Sequence, residues 1–278
     1  MSHEAVEKGQ PEVPVYDVEQ LLAQAAAVGV TGIIDCGCEL PNLMTAIQMA
    51  VDHPDSVHAA IAIHPNEAVL HGHRGVPGPD GLSLKYKPHH DVSFDDALAE
   101  VHRLALAYPH QVVAIGETGM DLFRTGEGAK ELQRDAFREH IALAKELNLP
   151  MQIHDRDSHR EVIETLLADG SPERTVFHSY SGDAEMGAIA RDNGWYLSFS
   201  GTVSYKATTV SANQPAGRTG PHHGRDGRAV SYADAIPRAH QRAVHDPVHA
   251  DGARRRVRPA RRRVARATRR TTRTVYGV

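Results

Sequence analysis

The sequence has only two cysteines, few aromatic residues and no long apolar run. The low cysteine count excludes a scaffold built on disulfides and favours a reducing, cytoplasmic location. Cys36 and Cys38 have no second pair with which to complete a zinc site, so they are interpreted as structural thiols near a strand end. No segment approaches the roughly 20 apolar residues of a membrane-spanning helix, and residues 1–15 lack the apolar core of a signal peptide. A protein that is neither exported nor membrane-bound is therefore expected.

Lysine, glutamate, leucine and phenylalanine are all absent after residue 206. Residues 1–206 carry 15 basic and 31 acidic side chains, whereas residues 207–278 carry 16 arginines and 4 aspartates. The net charge of −4 therefore combines a strongly acidic part with a strongly basic one. Because globular cores depend on residues such as leucine and phenylalanine, residues 1–206 are predicted to form the folded domain. Residues 207–278 are predicted to be an aberrant, poorly packed segment, largely irregular over 207–270.

Within residues 1–206, short β-branched runs alternate with amphipathic stretches of helical spacing. The pattern predicts six strands, at 31–35, 57–64, 112–117, 151–154, 175–178 and 196–200. It predicts helices at 17–28, 43–51, 97–108, 131–147, 158–168 and 183–193. Repeated strand–helix–strand units imply a parallel sheet, and the length favours an α/β fold of the closed (β/α)8 TIM-barrel type. An open, doubly wound sheet is the alternative.

Four of the predicted strands end on a side chain that can bind a metal: His64, Glu117, His154 and His178. In a barrel the C-terminal ends of all strands open onto one face, which would bring these distant residues together. Imidazole and carboxylate ligands suit zinc and other divalent metals, which polarise phosphoryl or carbonyl oxygens and activate water. Any one of these histidines alone would more often be a hydrogen-bonded or surface residue. Four ligands at equivalent positions favour a metal site.

Local sequence around these strand ends adds two expectations. Gly116 and Gly119 flank Glu117, which indicates close backbone packing at that strand end. The charged run at 155–157 follows His154 directly and is interpreted as a helix N-cap with a surface ion pair.

A Gly/Pro/His-rich insertion over residues 66–91 follows the second predicted strand. It is interpreted as a surface loop. Its histidines are expected to lie in solvent: His71, His73, His89 and His90.

Five motifs, in order along the chain, resemble those of the TatD family of metal-dependent deoxyribonucleases. They are AIHP at 62–65, GETGMD at 116–121, PMQIHDRD at 150–157, FHSYSG at 177–182 and YLSFSGTVSYK at 196–206. The resemblance covers roughly residues 17–206. It implies an amidohydrolase-like TIM barrel that cleaves the phosphodiester bonds of DNA as a 3′–5′ exonuclease-type enzyme. It also implies two divalent metal ions, with Mg, Mn and Zn as the alternatives.

The resemblance assigns a role to each matched residue. Glu117 would be the catalytic carboxylate that bridges the metals, and His154 and His178 would each ligate a metal. His64 would contact the substrate phosphate, and Arg156 would help to anchor that phosphate or the adjacent loop. DNA is the implied partner, with neither a membrane nor a protein partner.

Two motifs of the family are missing from this sequence. The family begins with a strand that bears D-x-H-x-H, whose histidines hold a metal, and this sequence has no such motif. It also has no E-T-D-x-P box, whose aspartate is a further ligand in the family. Either the true start of the protein lies upstream or the histidine pair is lost, and an N-terminally truncated, incomplete barrel that lacks the first strand is expected. Its metal site would be partial at best, and its activity impaired.

A shifted reading frame would account for the Arg-rich segment. If synonymous codons are chosen freely, residues 219–249 read from the second base permit a string that contains ETDAP and PYRGRTNEP, as in the family. The final residues, 271–278 (TTRTVYGV), again resemble the family's own C-terminus. The frame is therefore predicted to be lost soon after residue 206 and restored before residue 271.

Other functions stay open at this point. One is a catalytically inactive remnant of the family. Another is a basic protein that binds nucleic acid through residues 254–270, because charge alone gives salt-dependent binding. Evolved basic arms usually mix lysine with arginine, however, and this segment has no lysine. A different hydrolase reaction, such as amide hydrolysis, is also compatible with the fold.

Overall fold

A computed structural model describes residues 17–72, 84–200, 229–230, 234–235 and 261–278. Its centre is a sheet whose main strands are β1 (Ile33–Gly37), β2 (Val57–Ile61), β3 (Val112–Asp121), β4 (Met151–Arg156), β5 (Thr175–Phe177) and β6 (Tyr196–Ser198). Two short strands flank them, namely β7 (Ala229–Val230) and β8 (Asp234–Ala235). The six predicted strands are therefore all present.

Strands that are consecutive in sequence lie side by side, in the order β7-β6-β5-β4-β3-β2-β1-β8. All of these pairings are parallel. A doubly wound sheet reverses its strand order at a switch point, and the described strands show no reversal. The order is that of a (β/α) barrel, which confirms the predicted fold class. Within the part of the chain that the structure describes, the barrel is incomplete, since β7 and β8 have two residues each.

Helices follow most of the strands and cover the sheet. They are α1 (Val18–Ala27), α2 (Leu43–Asp52), α3 (Pro65–Ala68), α4 (Phe94–Ala107), α5 (Lys130–Glu146), α6 (His159–Asp169), α7 (Ala184–Asp192) and α8 (Arg261–Tyr276). Three short 3-10 helices lie at Leu40–Asn42, Pro88–Asp91 and Glu127–Ala129. None of the helices in the described part of the chain is long and apolar enough to cross a bilayer.

Side chains on opposite faces of the strands enter two separate apolar clusters. Ala59 and Ile61 of β2 join the large cluster, which also includes the apolar faces of α2, α4 and α5. Ala60, between them, joins a smaller cluster on the other face. Both faces are buried, as expected for parallel strands, and this explains why the strands read as short continuous apolar runs.

The end of α8 completes the smaller cluster. Val275 and Tyr276 are buried there against strand residues such as Ile34 and Val176. The side-chain amide of Gln152, on β4, donates a hydrogen bond to the Tyr276 hydroxyl at 3.3 Å. The helix begins at Arg261, so the predicted irregular structure is wrong for residues 261–270. The rest of that prediction lies outside the described residues, apart from β7 and β8.

Two strand boundaries differ from those predicted. β2 ends at Ile61 rather than at residue 64, because Pro65 begins α3 and His64 caps it. β3 continues to Asp121 rather than stopping at residue 117, because it stays paired with β4 as far as Asp121 opposite Arg156. These two differences bring further polar residues to the same edge of the sheet.

The histidines of the insertion are not in solvent, which corrects that prediction. His71 and His90 are 2% and 0% exposed, and His89 is half-buried. His89 and His90 contact Glu67 of α3, and His71 contacts the backbone of Val92. The local sequence pattern does not predict these contacts. His73 lies outside the described residues.

Candidate metal centre

The residues that were predicted to form the site lie toward the C-terminal ends of strands β2 to β5. Glu117 lies within β3 and His154 within β4, and Arg156 is the last residue of β4. His64 is the N-cap of α3, just beyond β2. His178 directly follows β5. Each therefore lies at or near a strand end that faces the same side of the sheet, as parallel strands require.

Three of these residues converge. Ligand atoms of His64, Glu117 and His154 all lie within 4.8 Å of one another. The His64 and His154 rings approach edge to face, with their centroids 4.4 Å apart. The side chains of Glu117 and His154 are 20% and 19% exposed, so the group is shielded yet open to a ligand. Glu117 and His154 offer a carboxylate and an imidazole that can hold a divalent metal, and the His64 ring lies beside them.

His154 bridges two carboxylates. Its Nδ1 lies 3.0 Å from Glu117 Oε1, and its Nε2 lies 3.1 Å from Asp121 Oδ2. Burial alone would lower the pKa of His154, but the charges and hydrogen bonds of Glu117 and Asp121 outweigh it and raise the pKa to about 9. Without a metal, His154 is therefore an imidazolium, and its positive charge lies between the two carboxylates where a metal ion would otherwise balance them.

The two carboxylates stay ionised for the same reason. Burial would raise the pKa of Glu117, but the charges of His178 and His154 hold it well below its usual range. Burial would likewise raise the pKa of Asp121, but the bond to His154 lowers it to about 2. A buried site that keeps two carboxylates charged attracts a cation.

Asp121 is a site residue that the sequence analysis missed. The side-chain amide of Asn66 and the backbone N–H of Arg124 donate to it at 3.0 and 2.9 Å. Its own N–H donates to Gln133 at 2.7 Å, so the carboxylate is fixed. In metal sites a ligating histidine commonly donates its second N–H to such a carboxylate. The signal was present, since Asp121 closes the GETGMD motif, but the predicted strand stopped before it.

His64 is held in one tautomer. The backbone N–H of Asn66 donates to His64 Nδ1 at 3.2 Å, which makes that nitrogen an acceptor. Burial, with the charge of His154, lowers the pKa of His64 to about 4, so the ring is neutral near pH 7. A neutral ring that accepts through Nδ1 carries its proton on Nε2. His64 therefore presents an N–H donor, which suits an anionic oxygen better than a metal ion.

Cys38 contacts the site directly. The backbone N–H of Glu117 donates to Cys38 Sγ at 3.4 Å. Burial, with the nearby charge of Glu117, raises the pKa of the Cys38 thiol, which therefore stays protonated. Cys36 is also a thiol, and its S–H donates to Gln152 Oε1 at 3.4 Å. These contacts agree with the structural interpretation of both cysteines.

Gly116 and Gly119 let β3 approach β4 closely, as predicted. A Cβ at Gly116 would lie 2.4 Å from the Cβ of Gln152. One at Gly119 would lie 2.2 Å from the backbone oxygen of His154, and φ there is +136°. A side chain at either position would push β3 and its Glu117 away from His154.

The two other predicted residues, His178 and Arg156, lie outside this convergent group. His178 is not within the 4.8 Å spacing of the three convergent residues, although its charge acts on Glu117. The guanidinium of Arg156 stacks over the Phe123 ring at 3.8 Å from the centroid. The N–H donors of a guanidinium lie in its own plane and point away from the ring beneath it, where they can still meet an anion. The assigned roles of His178 and Arg156 stay predictions.

Comparison with known proteins agrees with this arrangement. The chain matches a family model described as TatD related DNase over residues 11–217. It is 37% identical over 193 residues to the uncharacterized metal-dependent hydrolase TatD of Mycobacterium tuberculosis, which is 68% of this chain and 64% of that protein. YabD of Bacillus subtilis, also an uncharacterized metal-dependent hydrolase, is 32% identical over 191 residues, 68% of this chain and 65% of YabD. The chain thus spans slightly less than two thirds of the length of these relatives.

Solved structures show the same fold. The crystal structure of YjjV, a TatD homologue from Escherichia coli K12, superposes with a TM-score of 0.72 at 23% identity and covers 94% of this chain and 92% of YjjV. A TatD family hydrolase from Entamoeba histolytica gives a TM-score of 0.70 at 16% identity, over 96% and 92% of the two chains. With a family match over most of its length and a barrel that carries the family's motifs at one edge, the chain belongs to the TatD related DNase family.

Proposed function

We propose that the chain is a divalent-metal-dependent hydrolase of DNA phosphodiester bonds that removes nucleotides from 3′ ends. The observation that carries the proposal is the convergence of His64, Glu117 and His154 at one edge of a parallel barrel. Asp121 supports it, because a carboxylate behind a histidine is the arrangement that orients a metal ligand. The family match and the metal-dependent hydrolases among the relatives support the same reaction class.

Each residue has a definite part in this proposal. Glu117 and His154 hold the metal, with His178 as a further ligand and Glu117 as the carboxylate that two metals would share. A divalent metal, whether Mg, Mn or Zn, would polarise a phosphoryl oxygen and lower the pKa of a bound water. His64 Nε2–H donates to a phosphate oxygen of the substrate, and the Arg156 guanidinium pairs with the same phosphate or holds the neighbouring loop.

We expect a low rate. The sequence lacks the D-x-H-x-H and E-T-D-x-P motifs, which supply ligands in the family. Fewer ligands weaken metal binding and leave one side of a two-metal site incomplete. A cytoplasmic location stays a prediction that rests on the thiol state of both cysteines.

The test is a nuclease assay on single-stranded DNA labelled at its 5′ end, with Mg²⁺, Mn²⁺ or Zn²⁺ and with a chelator. The proposal expects a ladder of products shortened from the 3′ end, lost with the chelator. Glu117→Gln should abolish the ladder. Glu100→Gln, an exposed helix residue paired with Arg103, is the matched control and should leave it unchanged.

Three results would count against the proposal. A ladder that persists in Glu117→Gln would point to a contaminating nuclease. No cleavage with any of the three metals would favour the inactive remnant. Binding to DNA that weakens steeply with salt, without cleavage, would favour a basic nucleic-acid-binding protein.

A further inference from the structure

The buried histidines of the insertion surround a glutamate that the proposed reaction does not use. Glu67 lies on α3, and His89 and His90 lie on the 3-10 helix Pro88–Asp91. Their ligand atoms are all within 4.8 Å of one another, so among the described residues they form a second group able to hold a metal. The group is formed by different residues from those of the strand-end site.

Glu67 is the centre of the group. Its Oε2 lies 2.6 Å from His90 Nε2 and 3.1 Å from His89 Nε2. The Glu67 side chain is 15% exposed, and that of His90 is fully buried. Burial would raise the pKa of Glu67, but the bonds from His90 and His89 lower it, so the group holds a carboxylate.

His71 lies outside that 4.8 Å group, but it offers a buried ligand atom that lacks a partner beside it. Its Nδ1 donates a hydrogen bond to the carbonyl of Val92 at 2.9 Å. In a neutral ring, Nε2 then carries a lone pair that can bind a metal ion. His71 is 2% exposed, and its Nε2 has no hydrogen-bond partner among the described residues. A histidine whose Nδ1–H is held by a backbone carbonyl is the usual form of a metal-ligating histidine.

Ring spacing shows which pairs of these histidines could share one ion. Two imidazoles on one zinc, each with a Zn–N distance of about 2.1 Å, place their centroids about 5–6 Å apart. The His71 ring lies 5.4 Å from that of His90 and 6.1 Å from that of His89, so by spacing either ring could share an ion with His71. The His89 and His90 rings, at 4.0 Å, are too close to share a metal without moving.

The hydrogen bonds of His90 decide between the two rings. The backbone N–H of Lys87 donates to His90 Nδ1 at 2.8 Å, so a neutral His90 carries its proton on Nε2 and donates it to Glu67. That nitrogen has no lone pair to offer a metal. His90 instead holds the carboxylate in place.

We propose that Glu67, His71 and His89 bind one divalent transition-metal ion, which fastens the 3-10 helix Pro88–Asp91 to α3. Two imidazoles and one carboxylate select zinc, cobalt, nickel or copper over magnesium or calcium. Because His64 caps the same helix, the ion would also fix the position of His64 at the strand-end site. The proposal does not depend on the reaction proposed above, since it concerns different ligands and a different readout.

The test uses the full chain with Glu117→Gln and His154→Gln, which removes the strand-end site. The metal-free protein is titrated with Co²⁺, followed by its visible absorption, and with Zn²⁺, followed by metal analysis after dialysis. We expect one ion per chain. Glu67→Gln and His89→Gln should each weaken binding by at least about tenfold. His102→Gln, which removes a surface histidine paired with Glu146, is the matched control and should leave binding unchanged.

Two further variants test the ligand assignment. His71→Gln should weaken binding as His89→Gln does, whereas His90→Gln, whose amide can still donate to Glu67, should keep the Co²⁺ spectrum. His71 and His90 are buried, so circular dichroism is used to check that each variant folds. Glu67 and His89 are partly exposed and keep the test decisive if those variants do not fold.

The proposal is overturned if the parent protein binds neither Co²⁺ nor Zn²⁺. It is also overturned if Glu67→Gln and His89→Gln bind as tightly as the parent, because the ion would then lie elsewhere, for example on the two cysteines. Loss of the spectrum in His90→Gln but not in His71→Gln would overturn the ligand assignment.

Discussion

His154 Nε2 lies 3.1 Å from Asp121 Oδ2, while the opposite nitrogen of the ring faces Glu117. A metal that replaces the proton between His154 and Glu117 would leave the bond to Asp121 intact. Asp121 would therefore orient His154 without itself being a metal ligand.

Asp121→Ala should weaken metal binding at the strand-end site by about 10–100-fold, because His154 loses the partner that orients it. Asp121→Asn, which still accepts a hydrogen bond, should lose less. Calorimetric titration with Mn²⁺ or Zn²⁺ measures the change, in a protein that carries His89→Gln to remove the insertion group. Asp192→Asn, an exposed residue paired with Arg191, serves as the control. Equal affinities for Asp121→Ala and the control would show that Asp121 has no orienting role.

Gly119→Ala should destabilise the protein by about 3 kcal/mol or more, from the left-handed backbone conformation and from the collision with the His154 carbonyl. Gly29→Ala is the comparison, since φ is +93° there but no atom lies within 4 Å of the added Cβ. It should cost only about 1–2 kcal/mol. Urea denaturation measures both values. Similar losses for the two variants would mean that β3 can move away from β4 without cost.

The residues near the strand ends could be predicted because their positions follow from the local pattern of apolar and polar residues along the chain. Short apolar runs, separated by helical stretches, place His64, Glu117 and His154 at or near the C-terminal ends of parallel strands, and these ends share one face. Asp121 was not predicted as a site residue because β3 continues four residues beyond the predicted strand end at residue 117. The pairing with β4 that extends it is a tertiary contact, invisible in the β-branched pattern.

The insertion shows the opposite case. Its glycines, prolines and histidines are typical of a solvated loop, and composition alone gives no reason to bury His90. Burial comes from Glu67, 23 residues earlier, whose carboxylate accepts from the ring. In the same way, the arginine content of α8 suggested an irregular segment, whereas Tyr276 at its end reaches a cluster formed by strands far back in the chain.

Stability should fall between about pH 6.5 and about pH 4 because of His140. The backbone N–H of Ile63 donates to His140 Nε2, and His140 Nδ1 donates to the carbonyl of Ala136. Burial lowers the pKa of His140 to about 4, despite the bond to Ala136. The unfolded chain therefore binds a proton that the folded chain rejects. The stabilisation is complete above the unfolded pKa and is lost as the pH falls toward 4, on the order of 3 kcal/mol in all.

Urea denaturation at about pH 7 and about pH 5 measures this slope. His140→Gln should be less stable than the parent at the higher pH and should show a shallower fall between the two. His64, with its pKa also lowered to about 4, leaves part of the slope in the variant. An unchanged slope would mean that His140 does not contribute to it.

We propose that residues 207–270 are translated from a shifted frame. The family match ends at residue 217, two residues before the stretch whose second frame permits ETDAP. Sequencing the coding DNA should reveal codons for ETDAP in the second frame within residues 219–249, with an insertion or deletion that shifts the frame before this stretch and a second one that restores it before residue 271. A second frame that contains stop codons, or that encodes no such run, would contradict the proposal.

Tyr276 should contribute strongly to stability although it lies at the end of the Arg-rich segment. Its ring is buried among residues of five strands, and its hydroxyl accepts a hydrogen bond from Gln152. Tyr276→Ala should cost about 3–5 kcal/mol, as for other buried aromatic residues, whereas Tyr276→Phe should cost about 1 kcal/mol for the hydrogen bond. Leu106→Ala, at a residue 60% exposed on α4, should change stability by about 0.5 kcal/mol or less and controls for apolar loss at the surface. Urea denaturation measures all three, and a Tyr276→Ala value no larger than that of Leu106→Ala would mean that α8 does not pack against the barrel.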